Sequence, residues 1–111
     1  MLLLDTCALL WLAGDQDKLS SRARAALVRS ADVLHVSAIS ALEIAIKVAR
    51  RKLVLPLEPA AWYPKVLERY RVREVPLTGL IALRAPLVNL VQADPADRIV
   101  VSTAIVLGWP S

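Results

Sequence analysis

The stretch LLLDTCALLWLA, Leu2 to Ala13, decides the fold, because one apolar run ends at a charged residue and a second apolar run follows. Residues 2–5 predict a short buried strand, since an unbroken apolar run suits a parallel sheet covered on both faces. Thr6 is expected to cap a short helix that runs through Leu12 and ends at Gly14. A strand that leads directly into a helix is typical of an α/β fold.

The same alternation continues along the chain. Residues 32–37 and 72–75 predict two further strands, and SAISALEIAIKVARR predicts the strongest helix. The apolar stripe expected on that helix consists of Ile39, Leu42, Ile46 and Ala49. Other helices are predicted from near Ser20 or Ser21, around 60–70 with a start blurred by Pro64, from Thr78 to before Pro86, and from Pro95 to Leu107. This order predicts a doubly wound α/β sheet in one domain, 1–111, with ligands at the carboxyl ends of its strands.

Composition limits the class of protein. The chain has 111 residues, of which 57% are apolar and 22% charged, and its net charge is +4. A basic balance favours a polyanionic partner such as RNA, although +4 alone is weak support. A single cysteine, Cys7, fits a reducing cytosol, and no apolar run is long enough to cross a membrane. We therefore expect a cytoplasmic protein without a membrane segment.

The stretch ADPADRIVVSTA, 93–104, has two interpretations. Asp94, Pro95 and Asp97 form a near-ideal helix opening, with an N-cap, a first-turn proline and a third-position carboxylate. The same two aspartates are also suited to hold a cation at the mouth of a site. The local sequence favours the capping role.

Two more carboxylates stand in apolar surroundings. Asp5 follows a buried strand, where an ionised carboxylate is costly without compensation, and we expect a functional role for it. Glu43 has two structural alternatives, an ion pair with Lys47 and a capping box with Ser40. Carboxylates gathered at one edge would repel each other unless a cation lay among them.

The chemistry of these oxygens selects Mg²⁺, with Mn²⁺ as a second possibility, and the metal would act on a phosphate ester through an activated water. Zinc is disfavoured because the chain has only one cysteine and one histidine. The histidine, His35, is expected inside a strand and in the core of the protein. A nucleophilic Cys7 paired with His35 is disfavoured as well, since a buried structural thiol is commoner. The basic runs at 47–52 and 68–74 are more typical of solvated faces than of binding sites.

Four segments in order resemble the VapC toxins of the PIN-domain ribonucleases: LLLDTCALLWLA, VSAISALEIAIKVARRKLVLP, VPLTGLIAL and DPADRIVVSTAIVLGWP. The resemblance implies a three-layer α/β/α sandwich with a short, mostly parallel central sheet. It also implies a Mg²⁺-dependent endoribonuclease that forms a homodimer and is neutralised by a VapB-type antitoxin.

Site residues follow from the same resemblance. Asp5, Glu43 and Asp97 match the family's metal-site acids and are expected to be catalytic, with Asp94 as an additional metal-site acid. Thr6 matches a hydroxyl residue that orients a metal-bound water. Lys47 and Arg98 are expected to bind the RNA substrate.

One departure from the family leads to a rival hypothesis. Family members usually continue after the last helix with a strand and a T-x-D segment, whereas this chain ends at Ser111, so the last strand is expected to be missing or truncated and the domain incomplete. The first rival is a catalytically impaired PIN fold that binds the antitoxin or RNA. The second is an RNA-binding domain without a metal ion.

Overall fold

The computed structural model describes residues 2–22, 24–25, 33–88 and 94–109. In these ranges the strands are β1 (Leu2–Leu4), β2 (Leu34–Ser37) and β3 (Val72–Val75). The helices are α1 (Thr6–Gly14), α2 (Ala38–Ala49), α3 (Pro59–Tyr70), α4 (Gly79–Arg84) and α5 (Pro95–Leu107), with short 3₁₀ turns at Gln16–Lys18 and Ala85–Leu87. Residues 21, 22, 24 and 25 are also helical, and the rest of the basic helix expected there lies outside the described residues.

The sheet has three parallel strands in the order β1-β2-β3, with Leu3 opposite His35 and His35 opposite Arg73. Each crossover therefore moves one position in the same direction. The strand-order reversal of a doubly wound sheet is not present among the described strands, so the expected switch point does not locate a site. The site is located instead by the edge of the sheet at which the carboxyl ends of the strands lie.

Helices cover both faces of this sheet. Leu2, Leu4 and Val36 point to one face and pack with residues of α1, α2 and α3, including Leu9, Ile44 and Trp62. Leu3 and Val75 point to the other face and pack against Val100 and Ala104 of α5. Since side chains alternate along a strand, a fully apolar strand such as β1 needs cover on both sides. The predicted three-layer α/β/α arrangement is confirmed.

The start of α1 corrects a prediction. The N-cap is Asp5, whose carboxylate accepts a hydrogen bond from the Ala8 backbone N–H at 2.7 Å. Thr6 is the first helical residue and is only 4% exposed. An aspartate caps a helix as well as a threonine does, and here the backbone turns one residue earlier than expected. The hydroxyl of Thr6 is thus available for another partner.

The apolar stripe expected on α2 is for the most part not the buried face of this helix. Leu42 is 54% exposed and Ile46 is 40% exposed, whereas Ser40 and Ile44 are the buried residues of this helix. Helical periodicity identifies an apolar face but does not determine which face meets the sheet. Polar Ser40 lies inside because it has a specific hydrogen-bond partner there, described below.

The remaining helices agree with the sequence except at their ends. α3 starts with Pro59 as its first residue and continues through Pro64. α4 begins at Gly79, one residue later than expected, because the Thr78 hydroxyl caps it. α5 runs from Pro95 to Leu107 as predicted, and Gly108 ends it at φ +69°, a backbone conformation that favours glycine. In the described ranges, no helix has the length and apolar character needed to cross a membrane.

Candidate active site

The carboxyl ends of β1 and β2 each lead directly into a helix. Asp5 follows β1 and caps α1, while Ser37 ends β2 and caps α2 by accepting from the Ile39 N–H at 3.2 Å. Because parallel strands end at one edge, the N-termini of α1 and α2 open on the same side of the sheet. Their unpaired N–H groups give this edge a partial positive charge that suits carboxylates.

Three oxygen-bearing side chains meet between α1 and α2. The Thr6 hydroxyl lies 2.5 Å from Oε1 of Glu43 and 2.9 Å from the Ser40 hydroxyl. An ionised carboxylate only accepts hydrogen bonds, so Thr6 donates to Glu43 and Ser40 donates to Thr6. Glu43 is half-buried, and its carboxylate is held beside the residue that follows Asp5.

Both structural alternatives for Glu43 are wrong. In the part of the chain that the structure describes, Lys47 and Glu43 form no ion pair. The capping box with Ser40 fails because α2 is capped by Ser37, which places Glu43 in the second turn, too far along to cap. The contact with Thr6 is what fixes this carboxylate.

The start of α5 adds two further acids. Asp94 is the N-cap and accepts from the Asp97 backbone N–H at 2.9 Å, as the capping interpretation predicted. Partial burial raises the pKa of Asp97, and the charge of Asp94 and a side-chain hydrogen bond with it act in the same direction. The charge of Asp5 also raises this pKa, while a backbone hydrogen bond at Asp94 opposes the shift. Asp97 therefore lies close enough to Asp94 and to Asp5 for both of their charges to act on it.

A groove of about 430 Å³ runs between α2 and the start of α5. Glu43 and Asp94 both line it, so the groove joins the acid of α2 to the N-cap acid of α5. Ile39, Leu42 and Ile46 of the apolar stripe form part of its wall. Three cations lie along it: Lys47, Arg50 and Lys52. Part of the basic run at 47–52 thus faces this groove, and Arg50 and Lys52 are solvent-exposed, as expected of a solvated face.

Arg98, predicted to bind substrate, has a clear structural partner. Its Nη1 atom donates to the Val88 carbonyl at 2.6 Å, and the residue is half-buried. Its role toward the substrate stays a prediction.

The donor chemistry of the site fits a hard divalent cation. Asp5, Glu43, Asp94 and Asp97 offer only carboxylate oxygens, the ligands that Mg²⁺ and Mn²⁺ prefer. Among the described residues, however, no three histidine, cysteine, aspartate or glutamate side chains lie close enough to hold one ion together. Mg²⁺ typically takes one or two protein carboxylates and keeps several waters. An ion at this edge would therefore contact most of these acids through water, and the assignment of ligands stays a prediction.

The histidine and the cysteine lie apart from this chemistry. His35 is buried as predicted, contacts the Val33 carbonyl at 3.2 Å and has its ring 4.3 Å from the Trp109 ring. Burial lowers the pKa of His35. Cys7 is exposed, which corrects the expectation of a buried thiol, and the described residues give it no bond to His35.

Sequence reasoning missed Ser40 as a site residue and gave no role to Arg50 and Lys52. The signal for Ser40 was present, because a serine three residues before Glu43 shares its helix face and stands in an otherwise apolar segment. The signal for Arg50 and Lys52 was weaker, since only the tertiary structure turns part of a charged run toward a groove.

Comparison with known proteins identifies the family to which this fold belongs. The PIN domain family model matches residues 2–111. Ribonuclease VapC22 of Mycobacterium tuberculosis (strain ATCC 25618 / H37Rv) is 34% identical over 108 residues, which cover 96% of this chain and 81% of that protein. The chain therefore belongs to the PIN-domain family and, within it, to the VapC ribonucleases. The resemblance predicted from the sequence is confirmed.

Proposed function

We propose that this protein is a metal-dependent endoribonuclease and the toxin of a toxin–antitoxin pair. The observation that carries the proposal is the gathering of acids from three separate segments at one sheet edge, beside a groove lined by cations. Asp5 and Asp97 interact through their charges, and Glu43 and Asp94 line the same groove. The charges of Asp94 and Asp5 add to the effect of burial on the pKa of Asp97, and a bound divalent cation would relieve this repulsion.

Asp5, Glu43 and Asp97 would hold the ion directly or through its waters, with Asp94 in support. The ion supplies an activated water and neutralises charge on the leaving oxygen of a phosphodiester. Thr6 holds the Glu43 carboxylate in place through its hydroxyl. In this proposal the water-orienting role expected of Thr6 is therefore indirect, because its single proton already goes to Glu43.

Lys47, Arg50 and Lys52 would bind the phosphate backbone of RNA along the groove. Contacts of this kind position a nucleic acid without reading its bases, and they make binding sensitive to salt. Arg98, expected from the family resemblance to bind the substrate, would do so with its side chain held by the bond to the Val88 carbonyl.

The partners expected from the family are proposals of the same kind. A VapB-type antitoxin would cover the groove, and the exposed Leu42 and Ile46 offer it apolar surface. A homodimer is supported by the exposed Leu83 and Leu87, which are 77% and 81% accessible. A cytoplasmic location follows from an activity on cellular RNA.

The decisive experiment is cleavage of total RNA by the purified protein with Mg²⁺ or Mn²⁺, with and without a chelator. Cleavage that needs the metal and disappears in the Asp5→Asn variant would support the proposal. Asparagine caps a helix about as well as aspartate, so this variant removes the charge and keeps the cap. Cleavage that persists in the chelator would contradict it.

The rival hypotheses predict different outcomes of the same experiment. RNA retained on the protein without cleavage, and with no rise of the melting temperature in Mn²⁺, would favour an RNA-binding domain without a metal. Capture of a VapB-type antitoxin without cleavage would favour an impaired PIN fold that acts as a binding module.

A further inference from the structure

We infer that Ser40 is a positioning residue of the active site, an inference that rests on the proposed ribonuclease function. Ser40 is 0% exposed, and it lies on α2 three residues before Glu43, so both side chains share one face of the helix. Its hydroxyl lies 2.9 Å from the Thr6 hydroxyl, which in turn is 2.5 Å from Glu43.

The direction of the hydrogen bonds makes the three groups a chain. Thr6 has one hydroxyl proton, and the ionised Glu43 carboxylate can only accept it. The oxygen of Thr6 is then free to accept the proton of Ser40. Ser40 thereby selects the rotation of the Thr6 hydroxyl that aims its proton at Glu43, and hydrogen bonds in such a chain strengthen one another.

Other buried hydroxyls of the protein show that this use of Ser40 is specific. Ser102 donates to the Ile81 carbonyl at 2.8 Å and Thr103 donates to the Ile99 carbonyl at 2.7 Å, so both satisfy backbone groups. In the described part of the chain, the Ser40 hydroxyl bonds only to a side chain, that of Thr6. A helical serine often bonds its own backbone, so its orientation toward Thr6 indicates a role beyond satisfying the helix.

The consequence for the site concerns the position of Glu43. A glutamate side chain has three rotatable bonds and would sample several positions along the groove if nothing held it. The chain from Ser40 through Thr6 holds its carboxylate next to the start of α1, where Asp5 stands. Partners that orient a metal-binding acid typically contribute about 10-fold to 100-fold in metal affinity or activity.

The test is the Ser40→Ala variant, with Ser102→Ala as its matched control. Both substitutions remove a buried hydroxyl and one hydrogen bond, and both positions are at most 1% exposed. We expect Ser40→Ala to lower RNA cleavage by about 10-fold to 100-fold and to reduce the rise in melting temperature caused by Mn²⁺. Ser102→Ala should keep the cleavage and the Mn²⁺ response of the wild type. Equal losses in the two variants would overturn the inference, because they would reflect general destabilisation.

A double-mutant cycle tests whether Ser40 acts through Thr6. In a Thr6→Val background the relay is already broken, so adding Ser40→Ala should cause no further loss of cleavage. A further loss as large as that in the wild-type background would overturn the inference.

A crystal structure of Ser40→Ala separates this inference from the proposed function. We expect the Thr6 hydroxyl to turn away from Glu43, whether or not the protein cleaves RNA. A Thr6–Glu43 contact unchanged from 2.5 Å would overturn the inference even if metal-dependent cleavage were established. Failure of the wild type to cleave RNA would instead contradict the proposed function alone.

Discussion

The openings of α1 and α5 use the same cap and serve the site in different ways. Asp5 accepts from the N–H three residues later at 2.7 Å, and Asp94 does the same at 2.9 Å. The residues that follow differ: α1 continues with Thr6, whose buried hydroxyl reaches Glu43, whereas α5 continues with Pro95 and then exposes Asp97 in the third position. One opening therefore turns a hydroxyl inward, and the other turns a second acid outward.

This comparison teaches that capping and catalysis are compatible roles for one aspartate. A cap uses one lone pair of one carboxylate oxygen, and an ionised carboxylate has about four acceptor positions. The structural role of Asp5 and Asp94 thus leaves oxygens for a cation or its waters. Burial and the charge of Asp94, which belongs to the same opening, raise the pKa of Asp97 most, and the charge of Asp5 at the other opening adds to them.

The largest expected effect comes from removing charge at α1 while keeping its cap. Asp5→Asn should lower RNA cleavage by more than about 100-fold, since the loss of a metal-binding acid exceeds that of its supporting partners. Its circular dichroism spectrum and melting temperature in chelator should match the wild type, because asparagine still caps α1. Wild-type cleavage in this variant would reduce Asp5 to a structural cap.

Substitutions of the two acids at the start of α5 should differ in their effects in the same cleavage assay. Asp97→Asn is expected to lose most cleavage, whereas Asp94→Asn should lose about 10-fold, as a supporting residue does. Steady-state cleavage of one RNA at fixed Mg²⁺ measures both variants. An equal loss in the two variants would show that the third position of α5 has no special role, and the contrast between the two openings would then be wrong.

The two N-cap residues should contribute nearly equally to the free energy of unfolding. Asp5→Ala and Asp94→Ala are each expected to lower the free energy of unfolding by about 1 kcal/mol, because each leaves an N–H group of a first helical turn without its partner. Urea denaturation in the presence of a chelator measures this loss without metal binding. A loss at Asp5 several times larger than at Asp94 would mean that the α1 opening carries stability beyond its cap.

The smallest expected effect is a pH dependence of the free energy of unfolding. It comes from His35, which belongs to neither helix opening, and it must be measured apart from the effects of the acids there. Burial lowers the pKa of His35, and the charge of Arg73 acts in the same direction against a hydrogen bond to the Val33 carbonyl. As the pH falls below 6.5, the ordinary pKa of histidine, His35 therefore takes up a proton in the unfolded chain before it does so in the folded chain. His35 should therefore not lower the free energy of unfolding above pH 6.5. Below pH 6.5 this free energy should fall as the pH drops toward the lowered pKa of His35 in the folded state.

The slope of that fall should be a fraction of the roughly 1.4 kcal/mol per pH unit that uptake of one proton gives. Thermal denaturation at several pH values measures it, and the His35→Gln variant should remove this part of the slope. A slope that is identical in His35→Gln would assign the acid sensitivity to the carboxylates at the two openings.

Much of the fold could be predicted from local sequence. The apolar run of β1, the Asp-Pro opening and Gly108 end of α5, and the strand at 72–75 were all identified, because each depends on neighbours a few residues apart. The errors have the same origin. Thr6 and Asp5 are both competent caps, and the periodicity of α2 marks an apolar face without stating which neighbour covers it.

The sequence by itself determined which residue types this protein has for its chemistry: carboxylates at helix openings, hard oxygen ligands, and a run of cations. Only the tertiary structure decided which of them meet. It brought Glu43 to Thr6 across 37 positions of sequence, Ser40 behind them, and Lys47, Arg50 and Lys52 to the groove. The physical reason is that propensity and capping act within a turn of the chain, whereas packing of α2 and α5 against a shared sheet sets distances between residues that no local pattern connects.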